Sequence, residues 1–130
     1  MVLSVISFND QERICRQILG LDNQIRFVGI INEQGILVYY DYNRDITPLI
    51  TNEELRLSAM QALIRMGTRQ TFAHKTGDVY YSVTVYERVK RATIPLNAYY
   101  TLLVSLDAGA NHESIIVDKI LPAIEKPIGD

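Results

Sequence analysis

The side chains that could carry acid–base, nucleophilic or metal chemistry are few in this chain. It has two histidines, His74 and His112, and a single cysteine, Cys15. His74 and His112 stand in polar stretches, and with Cys15 they lack the close spacing that tetrahedral metal sites use. Solvated surface histidines are the expectation. Cys15 falls in a helical pattern beside Ile14 and Ile18, the setting of a small residue on a partly buried face and not of an activated thiolate. Asp41, Asp45 and Asp107 come at strand ends, where acid–base carboxylates are often found. Aspartate is also favoured there for local hydrogen bonding, and that is the expected role. Gly29 and Gly35 are not followed by a helix start, so neither a phosphate loop nor a dinucleotide fingerprint is present. No catalytic constellation, metal or cofactor is expected.

Two further groups could act through contact. Glu87-Arg88-Val89-Lys90-Arg91 is the densest charge run, read as a solvated hairpin tip or edge that guards against aggregation, or else as a patch that steers a partner. The eight tyrosines (39, 40, 42, 80, 81, 86, 99 and 100) gather at strands or their ends. No RNA-recognition core motif accompanies them, so packing and interface use are the better reading.

The elements that position these residues follow from pattern. A chain of 130 residues, 48% hydrophobic, 22% charged and with a net charge of −2, is expected to fold as one domain over 1–130. The slight acidity argues against nucleic acid as a partner. The lone cysteine suggests a cytoplasmic setting, and no apolar run reaches the roughly 18–20 residues of a membrane span. Residues 1–8 form an apolar N-terminal arm without the basic start of a signal peptide. Asn9 with Glu12 reads as the first helix start, and Gly20 as its end.

Phe27–Ile31 and Ile36–Tyr40 flank a turn at Asn32-Glu33-Gln34-Gly35, and the unbroken apolar run of the first implies a central strand covered on both faces. Thr51 with Glu54 opens the strongest helix, to about Arg65 or beyond. Strands Val79–Tyr86, Val89–Leu96 and Tyr99–Leu106 follow. Ile116, Ile120 and Ile124 mark a last helix that Pro122 should bend or shorten. The order α-β-β-α-β-β-β-α predicts an α+β fold: a five-stranded antiparallel sheet with helices on both faces.

The middle helix carries the most information. At about 100° per residue, Leu55, Ala59, Ala62, Leu63 and Met66 share one side, while Leu57, Met60 and Ile64 share nearly the opposite side. Glu54, Ser58, Gln61 and Arg65 occupy a flank between them. One stripe suffices to dock a helix on a sheet. The second stripe calls for a cover, either the loop Ile46–Ile50 or a second copy of the chain across a two-fold axis. The expected dimer interface is Leu57, Met60 and Ile64, extended by Tyr80, Ser82 and Thr84 of the following strand.

Phe27-Val28-Gly29-Ile30-Ile31-Asn32-Glu33-Gln34-Gly35-Ile36, the long capped helix and the three-strand meander together resemble the roadblock/dynein light chain superfamily over about residues 9–125. The segment Tyr86–Leu96 also resembles a group of small archaeal proteins. The apolar arm and the Pro122 helix depart from the usual pattern. The resemblance implies a non-catalytic homodimer, formed through the middle helix and the strand after it, that serves small Ras-like GTPases as a platform or regulator. The alternative is a PAS- or profilin-like sensor holding a small molecule between sheet and helix.

Overall fold

Helix α1 (Phe8–Leu19) is the first element of the computed structural model, which describes residues 6–125. Its cap is Ser7, whose hydroxyl accepts from the Asp10 amide at 3.2 Å, and not the expected Asn9. Packing decides this. Ile6 is buried, the Gln11 side-chain amide donates to its carbonyl at 2.9 Å, and the Tyr100 hydroxyl accepts from its N–H. With Ile6 pinned, the chain turns at Ser7, and Glu12 is left to pair with Arg16 at 2.9 Å. Of the expected arm, residues 1–5 lie outside the described residues.

Strands β1 (Ile25–Asn32) and β2 (Leu37–Tyr42) form the expected hairpin, with Ile36 in the turn and not in the strand. The Asn32 side-chain oxygen accepts from the amides of Gln34 and Ile36, and Gly35 sits at φ +81°. A Cβ on Gly35 would lie 3.5 Å from Leu63 and Met60, so the tip of the hairpin leans on the middle helix. Gly35→Val should therefore cost about 1–3 kcal/mol through backbone strain, read as a lowered Tm. An unchanged melt would contradict it.

The remaining elements are α2 (Asn52–Arg69), a 3-10 turn (Gln70–Phe72), the short α3 (Ala73–Thr76), β3 (Ser82–Val85), β4 (Val89–Pro95) and β5 (Tyr100–Asp107). One sheet results, antiparallel throughout, in the order β2-β1-β5-β4-β3. β5 holds the centre, with β1 beside it, and both are covered on two faces. Val28, Ile30, Ala92, Ile94, Leu102, Val104 and Leu106 point to a core shared with α1 and the C-terminal helix. Phe27, Ile31 and Leu103 point the other way, to α2. Helices thus lie on both faces of a five-stranded antiparallel α+β sheet.

The strand expected over Val79–Tyr86 is shorter. Its ladder to β4 runs from Val85↔Lys90 to Ser82↔Thr93. The Tyr86 N–H donates to Val89 O, so Thr84–Arg91 and Ser82–Thr93 are the next hydrogen-bonded pairs. The following one would pair residue 80 with Pro95, which has no N–H to give, and the ladder stops.

The closing helix runs through α4 (His112–Ser114), a π-helical stretch (Ile115–Ile120) and α5 (Leu121–Glu125). The helix continues through Pro122 and is not shortened there as expected; the departure from α-helix comes before it. Leu121 N–H reaches back to Ile116 O, and the wide turn comes just before the residue that cannot donate. No helix among the described residues is long and apolar enough to cross a membrane.

Candidate interaction surface

Helix α2 begins with a full capping box: Thr51 Oγ1 accepts from the Glu54 amide at 3.2 Å, and Glu54 Oε1 accepts from the Thr51 amide at 2.8 Å. Leu55, Ala59, Ala62 and Met66 dock on the sheet. Two residues depart from the expected wheel. Ser58 is buried, its hydroxyl without a partner, while Leu63 is only half-buried beside Gly35. The helix is thus rolled toward Ser58 and away from Leu63.

The second stripe stands in solvent: Leu57 is 56% exposed, Met60 50% and Ile64 64%. The loop at 46–50 does not cover it. That loop lies near the N-terminal end of α2, across a groove from Phe27, Tyr42 and Leu55, with Leu49 itself exposed. Phe72 and Tyr80, exposed at 61% and 78%, add apolar surface on the chain that leaves α2.

β3 lies at one end of the sheet, so one side of its backbone has no strand beside it among the described residues. With Ser82 and Thr84 bonded inward to β4, the N–H and C=O groups of Val83 and Val85 point outward. The side chains of Ser82 and Thr84 lie on the α2 face, and share a small cleft with Arg65 and Arg69. The Arg65 flank of α2, which adjoins the stripe, therefore borders β3. Tyr80 precedes β3 and is not part of it.

The chemically capable residues are held in other ways. Cys15 is fully buried, and burial, with Asp41 adding, pushes its thiol up to about 12. His74 is exposed as expected, but His112 is half-buried with Nδ1 unpartnered. Asp41 accepts from the Tyr42 amide, and Asp107 pairs with Arg26 at 3.3 Å. No group of three or more His, Cys, Asp or Glu among the described residues could hold a metal. The charge run is a solvated tip only at Glu87 and Arg88. Lys90 donates to Ala110 O at 2.7 Å, and Arg91 is half-buried against the α2 face. The period-2 alternation of β4, with Ala92 and Ile94 inward, was the signal that Arg91 must face the other helix layer.

No family model and no curated protein matches the sequence. Solved structures do match in shape. The gliding protein MglB from Thermus thermophilus superposes with a TM-score of 0.74 at 16% identity, covering 96% of this chain and 90% of that one. An MglB with a tetrameric arrangement gives 0.74 at 17% identity, over 93% and 89%. A roadblock/LC7 domain from Streptomyces avermitilis gives 0.67 at 9% identity, over 86% and 89%. At these identities the likeness is one of architecture, and that architecture is the roadblock/LC7 fold.

Proposed function

We propose that the chain is a non-catalytic, homodimeric protein-interaction module. The observation that carries this is the exposed stripe Leu57, Met60 and Ile64 on a helix whose other face is already docked, beside a strand edge with free backbone groups. In an antiparallel self-pairing centred near Met60, Leu57 of one copy meets Ile64 of the other. The edges of β3 then come together, and Val83 and Val85 supply the hydrogen bonds of a sheet continuous across the dimer. Tyr80, Ser82 and Thr84 line the same seam. The tetrameric arrangement named for one MglB structure supports self-association of this architecture. A small Ras-like GTPase is the partner class that the roadblock resemblance favours, with the continuous sheet and its helices as platform.

Light scattering of the purified chain at tens of micromolar tests the reading, and a dimer mass is expected. A monomer at that concentration overturns it. Val85→Pro removes an outward N–H and no bond to β4, at a side chain 62% exposed, so the fold should persist by circular dichroism. Self-association should weaken about tenfold or more. An unchanged association would show that the strand edges do not pair.

A further inference from the structure

The five strands align one row of side chains on the α2 face: Tyr42, Phe27, Ser105, Arg91 and Thr84 are cross-strand partners in that order. Phe27 and Tyr42 pack ring to ring with centroids 5.0 Å apart. The small Ser105 between Phe27 and Arg91 leaves a hollow. Leu55 walls it from α2, and Ile46, Pro48 and Ile50 wall it from the loop. The groove is a shallow cavity of about 90 Å³, partly open to solvent and apolar on most sides.

Two arginines line this groove, and they differ. Arg26 is already neutralised: one of its nitrogens pairs with Asp107 at 3.3 Å and another donates to Thr47 O. Arg91 pairs with no carboxylate among the described residues. The groups that act on it are Tyr86 and Arg65, a like charge. Burial lowers the Arg91 guanidinium below its ordinary value and Arg65 pushes the same way, while Tyr86 opposes them. It stays charged at neutral pH, half-buried and without a counter-ion.

We propose that the groove binds a small monocarboxylate with an apolar tail. The tail lies among Phe27, Leu55 and Ile50, and the carboxylate sits on the fork of Arg91 beside Ser105. The guanidinium edge matches a carboxylate with two parallel hydrogen bonds, and a carboxylate there gives a half-buried charge its counter-ion. One unpaired cation takes one negative charge, and the apolar walls give the tail its contribution. The proposal goes beyond the interaction reading and does not depend on it, because the groove is assembled within one copy.

Titration of the full chain with sodium octanoate, followed by amide NMR shifts, tests it. Saturable one-site binding is expected with Kd below about 1 mM, with shifts at Ile50, Leu55 and Val89. Octanol and octyltrimethylammonium should bind about tenfold more weakly or less. Arg91→Gln should lower octanoate affinity about tenfold and leave octanol unchanged. Ile50→Glu, at an exposed loop position that does not endanger folding, should place a carboxylate near Arg91 and displace octanoate to a similar degree. Overturning results are no saturation by about 10 mM, equal binding of octanol and octanoate, or wild-type affinity in the variants. Light scattering on the same samples reports self-association separately, so a failure of one reading is not mistaken for failure of the other.

Discussion

A Met60→Asp/Ile64→Asp double variant should be a folded monomer at the tens of micromolar where the wild type is expected to be a dimer. Both side chains are at least half exposed in the single copy, so the new carboxylates remain hydrated there and the fold has no cause to fail. Across a two-fold axis the same change sets four carboxylates in one desolvated patch. It also removes the burial of large apolar side chains, each contributing about 1.5–3 kcal/mol. Association should then fall beyond detection by light scattering, with circular dichroism and Tm close to wild type. Met60 touches the Gly35 turn, so Leu57→Asp/Ile64→Asp serves as the second variant, clear of that contact. If either folded variant still dimerises, the stripe is not the interface. If both unfold, the stripe is core.

The opposite face of α2 should answer differently. Ala62 is fully buried against the sheet, and Ala62→Asp would place a charge in a dry contact with no cation to meet it. The cost is several kcal/mol, comparable with the whole stability of a small domain at about 5–15 kcal/mol. Loss of the far-ultraviolet helical signal at 25 °C is expected. Leu63, which shares that side of the wheel by spacing alone, is only half-buried, so Leu63→Asp should be markedly milder. A folded Ala62→Asp variant as stable as wild type would mean that α2 does not pack as described.

The two aspartate experiments separate face from face on one helix, and that distinction is legible in the sequence. Spacing alone divided Leu57, Met60 and Ile64 from Leu55, Ala59, Ala62, Leu63 and Met66, with only Leu63 less buried than its side of the wheel implies, because helical period is a local property of the chain. The capping box at Thr51 and Glu54, the turn at Gly35, the burial of Cys15 and the strand identity of most of β1, β4 and β5 were legible for the same reason. Each depends on residues within a few positions of one another.

What the sequence left open depends on partners far along the chain. The start of α1 moved from Asn9 to Ser7 because Ile6 is gripped by Gln11 and Tyr100, the latter 94 residues away. The strand expected over Val79–Tyr86 shrank to Ser82–Val85 because register set residue 80 against Pro95. Which strand is left at the sheet edge follows from β5 inserting between β1 and β4, an arrangement no local pattern encodes. The same insertion brings Arg91 into line with Ser105 and Phe27, turning half of a charge run into the wall of a groove. Local chemistry and periodicity determined the elements and the faces they bury. Cross-strand register, which only the folded sheet fixes because its hydrogen bonds join distant segments, decided which residues share a site.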